Sequence, residues 1–205
     1  MVGRHMGEAR SPERLIVGLS GSSGAIYGVR LLEVLRPMSD IEVHLVMSPS
    51  ARETIALETD WKPRDVEALA DVTYKYADVA AAISSGSFRT DGMVVLPASM
   101  KTVSAIAYSI GDNLLTRAAD VTLKERRTLI VAPRETPLHL GHLRAMTQLA
   151  EIGAVVVPLM PAFYMRPESV GEIVDQMVGR ILDLLGIEPP EGLVKRWQGP
   201  KGSPE

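Results

Sequence analysis

The hydrophobic pattern of this chain alternates between short continuous apolar runs and longer stretches with helical spacing. The short runs are rich in Val, Ile and Leu, which is typical of strands that are covered on both faces of a sheet. The five predicted strands are Leu15–Leu19, Ile41–Met47, Gly92–Leu96, Thr128–Ala132 and Ala154–Val157. Because helical patterns separate them, the sequence predicts an α/β fold with a doubly wound, mostly parallel sheet and helices on both faces.

Six helices are predicted around these strands, and some of them begin at clear capping signals. Ser48-Pro49 and Thr136-Pro137 each place a capping residue before a proline at the first helical position. In the less regular segment 61–87, the pattern favours a short helix over Pro63–Ala70 and an added strand over Val72–Tyr76. The six helices are Ala25–Arg36, Pro49–Thr59, Lys101–Ser109, Asn113–Lys124, Pro137–Ile152 and Val170–Leu185.

One domain is predicted over residues 14–187, since the alternation continues through that range and no internal repeat interrupts it. Residues 1–13 are polar and aperiodic, and Gly3-Arg4-His5-Met6 looks like a cloning remnant. We therefore expect a disordered or vector-derived N-terminus. Residues 188–205 are rich in proline and glycine, which predicts a C-terminal tail.

Composition excludes several classes of function. The chain has 205 residues, a net charge of −3 and no cysteine, so disulfides, thiolate catalysis and zinc–thiolate sites are excluded. The acidic balance disfavours nucleic acid and anionic membranes as partners. No apolar run reaches the ~18 residues of a membrane span, and we expect a cytoplasmic protein. His139 and His142 have no acidic partner placed to complete a metal site, so no metal is expected.

The segment from Leu15 to Gly28 is the most informative part of the chain. Its pattern predicts a buried strand, a Ser/Gly turn and the N-terminus of a helix. Such a turn presents free N–H groups that favour an anion. Ligands of open α/β sheets bind outside the carboxyl ends of the strands. The polar residues predicted at that edge are Gly21, Ser22, Ser23, Ser48, Ser99, Lys101, Thr102, Arg134, Glu135, Tyr164 and Arg166.

These residues suit a phosphorylated ligand with acid–base chemistry beside it. The glycine spacing is not that of a dinucleotide fingerprint, the second strand ends in Ser48 rather than an acid, and no P-loop motif is present. A flavin mononucleotide fits the hydroxyl-rich turn, but the residues alone do not choose it over another phosphate ester.

Six motifs, in order along nearly the whole chain, resemble those of UbiX-type flavin prenyltransferases. They are S-G-S-S-G-A-I-Y-G-V-R-L-L from Ser20, L-E-T-D around Glu58, P-A-S-M-K-T-V-S from Pro97, R-A-A-D-V-T-L-K-E-R-R from Arg117, P-R-E-T-P-L-H from Pro133 and P-A-F-Y-M-R-P from Pro161. Gly21-Ser22-Ser23-Gly24 replaces the commoner G-A-S-G, and Ala98 stands where many relatives have cysteine; both changes keep a small residue.

The resemblance implies a flavodoxin-like Rossmann three-layer sandwich that uses reduced FMN as prenyl acceptor and dimethylallyl phosphate as donor. Such enzymes join the prenyl group to N5 and C6 of the flavin and need no metal. The prenylated FMN serves a UbiD-type decarboxylase. The usual assembly is a homododecamer with active sites at subunit interfaces.

The resemblance also assigns roles to particular residues. FMN contacts are implied for Gly21, Ser22, Ser23, Ser48, Ser99, Met100, Lys101, Thr102 and Arg134. The dimethylallyl phosphate site is implied for Lys124, Tyr164 and Arg180. The catalytic residues implied are Glu58, Glu135, Lys124 and Ser23. Each role has a competing structural interpretation. Ser48 and Ser99 could serve as ordinary helix caps, and Lys124 lies where the helix dipole favours a cation. Core or interface packing is the alternative for the aromatic residues Tyr27, Trp61, Phe88 and Trp197.

Two alternatives remain at this point. A phosphopantothenoylcysteine-type decarboxylase shares the fold, the flavin and a P-A-S-A-N-T motif, which P-A-S-M-K-T partly matches. However, its asparagine-containing segment is missing around Pro158–Pro161, and no histidine occupies the matching loop. A non-catalytic FMN carrier is the second alternative, and such a protein has no need of Glu135.

Overall fold

A computed structural model of the chain describes residues 13–197 and Gly199. Six parallel strands form one sheet in the order β3-β2-β1-β4-β5-β6. Their bounds are β1 Glu13–Leu19, β2 Ile41–Met47, β3 Val72–Tyr74, β4 Gly92–Ala98, β5 Thr128–Pro133 and β6 Val155–Val156. The chain therefore starts in the middle of the sheet and winds outward in both directions, as predicted.

Seven helices cover the sheet in the described part of the chain. They are α1 Ala25–Leu35, α2 Pro49–Glu58, α3 Pro63–Glu67, α4 Met100–Ala107, α5 Leu114–Lys124, α6 Leu140–Glu151 and α7 Val170–Leu185. Two 3-10 turns, Ala82–Ser84 and Phe163–Met165, lie in the connections. None of the described helices is long and apolar enough to cross a bilayer.

Alternate residues of β1 divide between two hydrophobic cores, one on each face of the sheet. Leu15, Val17 and Leu19 pack with α1, α2 and α7, whereas Ile16 packs with α4, α5 and α6. This division explains why the strand is apolar at consecutive positions, because each face of the sheet needs its own buried row. The predicted three-layer arrangement is confirmed.

Several predicted bounds need correction. Glu13 pairs with Ile41 as the first residue of β1, so the fold starts within the segment that the sequence left out; residues 1–12 lie outside the described part. The helix expected to begin at Pro137 begins at Leu140, because His139 supplies the cap by accepting the Gly141 N–H. Residues 188–197 lie against α7 rather than apart from the domain.

Candidate functional site

Three helices begin at the carboxyl edge of the sheet, where the polar residues were predicted. Ser48 caps α2 by accepting the Ala51 N–H at 3.0 Å, and Ser99 caps α4 by accepting the Thr102 N–H at 3.4 Å. Gly24 precedes α1 in the left-handed conformation and has no side chain to cap it. The N-termini of α1, α2 and α4 all favour negative charge at this edge.

Only part of the P-A-S-M-K-T motif faces outward. Met100 and Thr102 are buried, at 8% and 7% exposed, because the first turn of α4 packs against the core. Lys101 is exposed, and the Ser99 hydroxyl is 3.1 Å from that of Thr102. The structure therefore offers Ser99 and Lys101 to a ligand through their side chains, and Met100 and Thr102 only through their backbone.

Ser20 joins two of the loops at this edge and was missed in the sequence. Its side chain is 2% exposed, donates to the Pro97 carbonyl at 3.1 Å and accepts the Ser99 N–H at 2.7 Å. The sequence did contain a signal for this role, because Ser20 is a polar residue that directly follows the buried strand. Ser20 holds the turn after β1 against the start of α4.

Gly21 and Ser22 are also used within the chain. A Cβ at Gly21 would lie 2.2 Å from the Ser50 Cβ, so the turn after β1 approaches α2 too closely for any side chain. The Ser22 hydroxyl donates to the Arg134 carbonyl at 2.6 Å. The Ser22 hydroxyl thus links the turns after β1 and β5, and its expected contact with FMN stays a prediction.

Glu58 crosses from the end of α2 to cap α1. Its carboxylate accepts the N–H groups of Gly24 at 2.7 Å and Ala25 at 3.2 Å. Partial burial acts to raise the pKa of Glu58, but hydrogen bonds from Ser23, Gly24 and Ala25 and the charge of Arg134 outweigh it and lower the pKa. The carboxylate is therefore an ionised group that orients the turn, and a weak proton acceptor.

Arg134 and Glu135 lie at the mouth of an open cavity of about 430 Å³ after β5. Leu138, Leu159 and Met160 give this cavity an apolar wall. Glu135 accepts the Thr136 N–H at 3.0 Å, and among the described residues Arg134 forms no ion pair. A cation that no ion pair occupies, between helix N-termini and an apolar wall, fits the phosphate and ring of FMN.

Tyr164 and Arg180 meet in a second cavity of about 340 Å³ between α7 and the segment that follows it. Among the described residues, no carboxylate pairs with Arg180; Asp183, which also lines the cavity, is bonded to Arg196. A smaller space of about 200 Å³, lined by Met160, Tyr164 and Arg180, lies between the two cavities. The predicted pairing of Tyr164 with Arg180 is present.

Within one chain, Lys124 does not lie at the cavity that contains Tyr164 and Arg180. It ends α5, pairs with Glu125 and lies near Gly86, and α5 leads into the amino end of β5. The amino ends of the strands lie at the opposite edge of the sheet. Within one chain, Lys124 therefore lies apart from Tyr164 and Arg180, and its expected role in the dimethylallyl phosphate site stays a prediction.

The remaining candidates contact other side chains of the chain. Tyr27 and Trp61 pack against one core and Phe88 against the other, while Trp197 pairs edge-on with Tyr164. His139 and His142 stack with ring centroids 3.6 Å apart. Residues 13–197 contain no group of three or more side chains that could hold a metal ion.

The fold and the anion-binding edge are those of a flavoprotein. In agreement, the Flavoprotein family matches residues 4–182 of the chain.

The relatives are more specific. The flavin prenyltransferase UbiX of Escherichia coli (strain K12) is 64% identical over 187 residues, which cover 91% of this chain and 99% of that protein. A crystal structure of AnUbiX in complex with FMN and dimethylallyl pyrophosphate aligns with a TM-score of 0.88 and 47% identity, covering 92% of this chain and 98% of the other. The chain belongs to the family of UbiX flavin prenyltransferases.

A second solved structure supports the same placement. A dodecameric FMN-dependent UbiX-like decarboxylase from Escherichia coli O157:H7 aligns with a TM-score of 0.88 and 54% identity, covering 91% of this chain and all of the other. By contrast, a PPC decarboxylase aligns at 22% identity with a TM-score of 0.57, which shows a common fold alone. The cysteine decarboxylase alternative is therefore not favoured.

Proposed function

We propose that this chain transfers a dimethylallyl group from dimethylallyl phosphate to reduced FMN. One new bond forms at N5 as the N5–H bond and the allylic C–O bond break and phosphate departs. The second bond joins C6 to one carbon of the allylic double bond, whose other carbon gains a proton while C6 loses its own. Reduced FMN supplies the electron-rich ring atoms that accept the prenyl group. The protein must hold two phosphates, stabilise the leaving group and move a proton.

The observation that carries this proposal is a pair of cavities joined by the smaller space that Met160 and Tyr164 line. Arg134, whose charge also acts on the Glu58 carboxylate, lines one cavity, and Arg180 lines the other. Neither arginine forms an ion pair in the part of the chain that the structure describes, so two separate cations are available to two separate phosphoryl groups. The apolar wall between them suits a ring system on one side and an allyl group on the other.

Residue roles follow from these positions. Arg134 and the starts of α2 and α4 hold the flavin side, and Glu58 fixes the turn after β1 by accepting the N–H groups of Gly24 and Ala25. Arg180 and the Tyr164 hydroxyl bind the leaving phosphate as its charge grows. Glu135, which lines the flavin cavity, accepts the proton that the flavin loses, because the Glu58 carboxylate already accepts the N–H groups of Gly24 and Ala25.

The direct test is anaerobic incubation with reduced FMN and dimethylallyl phosphate, followed by mass measurement of the flavin. A mass gain of one prenyl group is expected, and an unchanged flavin would favour the non-catalytic carrier. Arg180→Ala should raise the KM for dimethylallyl phosphate by about 10- to 100-fold, which is the value of a charge-assisted hydrogen bond, with FMN affinity unchanged. Arg144→Ala, an exposed cation on α6, is the matched control. Equal loss of FMN binding in Arg180→Ala would contradict the two-cavity arrangement.

Lys124 takes part if copies of this chain assemble. The relative from Escherichia coli O157:H7 is a dodecamer, and exposed apolar side chains surround the second cavity: Met160, Phe163, Tyr164 and Trp197 are 65%, 69%, 57% and 61% exposed. We propose a homo-oligomer, most simply a dodecamer, in which Lys124 of one subunit reaches the Tyr164–Arg180 cavity of the next.

A mixing experiment tests this arrangement. At a donor concentration well below the raised KM, Lys124→Ala and Arg180→Ala should each be nearly inactive alone. Subunits exchanged between them should regain activity, because some mixed interfaces contain both intact residues. If the exchanged mixture has only the average activity of the two separate variants, Lys124 lies outside the active site. A UbiD-type decarboxylase as recipient of the product, and a cytoplasmic location, are parts of the same proposal.

A further inference from the structure

The segment Val194–Trp197, here called the C-terminal strap, forms half of the wall of the Tyr164–Arg180 cavity. Four of the residues that line this cavity belong to the strap, and the others are Tyr164 and three residues of α7, Gln176, Arg180 and Asp183. The sequence predicted only a tail after residue 187. The cavity assigned to the leaving phosphate therefore exists only while the strap lies against α7.

A glycine in the middle of α7 provides the seat for the strap. A Cβ built at Gly179 would lie 1.9 Å from Val194 Cγ1 and 3.3 Å from Val194 Cβ, so the valine occupies the space that any larger residue would need. Glycine in a helix interior costs about 1 kcal/mol relative to alanine. The close approach of Val194 explains why position 179 holds glycine, although alanine would favour the helix.

Polar contacts clamp the strap on both sides of that seat. The Lys195 N–H donates to Gln176 Oε1 at 3.3 Å, and the Arg196 guanidinium donates to both carboxylate oxygens of Asp183, at 3.0 and 3.2 Å. A third bond from Arg196 reaches Glu188 at 3.2 Å. A two-pronged arginine–carboxylate contact fixes orientation as well as position.

The strap ends on Tyr164, which has little other support. Tyr164 belongs to a 3-10 turn, is 57% exposed, and meets the Trp197 ring edge-on with centroids 5.6 Å apart. A phenol that must donate to a phosphate needs a fixed ring, and Trp197 is the aromatic partner that the described residues give it. The position of Tyr164 thus depends on how the strap is held.

We infer that Val194 and Arg196 are positioning residues for the prenyl-donor phosphate: they dock the strap on α7 so that Trp197 holds Tyr164 beside Arg180. This inference rests on the proposed function for the identity of the phosphate. It predicts that loosening the strap weakens donor binding and leaves the flavin cavity, which the strap does not line, unaffected.

The test uses glycine substitutions at two places in the same helix. Gly179→Ala should displace Val194 and raise the KM for dimethylallyl phosphate by about tenfold or more, since a misplacement of about 1 Å costs up to 100-fold. Gly171→Ala is the matched control, because a Cβ there meets only the Ser169 Oγ, at 3.6 Å. The FMN dissociation constant should stay within about twofold in both variants.

A second change should restore the contact. Val194→Ala removes Cγ1, the atom that a Cβ at position 179 would meet at 1.9 Å, so Gly179→Ala combined with Val194→Ala should recover much of the donor affinity lost by Gly179→Ala alone. Arg196→Ala provides an independent disturbance of the strap without any change in the helix. A KM for the donor that stays at the wild-type value in both Gly179→Ala and Arg196→Ala would overturn the inference.

A spectroscopic measurement separates this inference from the proposed function. The chain has two tryptophans, so in a Trp61→Phe background Trp197 alone reports on the strap. Acrylamide quenching of Trp197 should increase in Gly179→Ala and Arg196→Ala and not in Gly171→Ala, whether or not the enzyme turns over. Increased quenching with no product in any variant would refute the proposed function and leave the docking intact. Unchanged quenching with normal wild-type turnover would refute the docking alone.

Discussion

Removal of the Ser20 hydroxyl should destabilise the edge of the sheet where the flavin is proposed to bind. In Ser20→Ala the part-buried Ser99 N–H loses its acceptor, while the Pro97 carbonyl keeps the Ser20 N–H at 3.2 Å. One part-buried group is therefore left without its protein partner, which costs about 1–2 kcal/mol. For a domain of this size, 2 kcal/mol corresponds to a decrease in Tm of roughly 6 °C.

The measurement is urea unfolding of the FMN-free protein together with an FMN titration. Ser39→Ala, an exposed serine in the turn before β2, is the control and should change stability by less than about 0.5 kcal/mol. Ser20→Ala should also weaken FMN binding, because the turn after β1 and the start of α4 lose their common bond. A Ser20→Ala protein as stable as Ser39→Ala would refute the linking role of this hydroxyl.

Two further predictions concern the carboxylates of the site. Glu135→Gln should bind FMN normally and form prenylated flavin about 100- to 10,000-fold more slowly, since a proton acceptor is removed. Near-normal turnover would show that another group accepts the proton. For Glu58, the pKa lies below its ordinary value of 4.5, so the folded state gains stability from the ionised form at pH above about 4.5, and this gain is lost as pH falls through the lowered pKa. Glu58→Gln should accordingly be less stable than wild type near pH 7 and approach it in acid; a difference that is constant from pH 7 to pH 3 would contradict the helix-capping role.

The elements of the fold were largely predictable because local patterns determine them. The periodic helix Val170–Leu185 was predicted to the residue, since its apolar stripe is long and Ser169 caps it. The start of α6 was not, because Thr136-Pro137 has the same local signal as a true cap and the choice of His139 depends on tertiary context.

Within the site, residue types were predictable and their partners were not. The bonds from Glu58 to Gly24 and from Ser22 to Arg134 join residues that lie 34 and 112 positions apart, and no local pattern specifies them. The position of Lys124 is different, because a helix that precedes a parallel strand must end at the amino edge of the sheet. The topology alone could have placed that lysine away from Tyr164.

The bonds of Ser20, Ser22 and Glu58 connect the turns after β1, β4 and β5 with the end of α2 through the chain's own groups. Turns that are tied in this way have little conformational freedom to lose when a flavin binds. Amide hydrogens at residues 20–25 should then exchange slowly even in the empty protein, and adding FMN should slow them only where the ligand shields them directly.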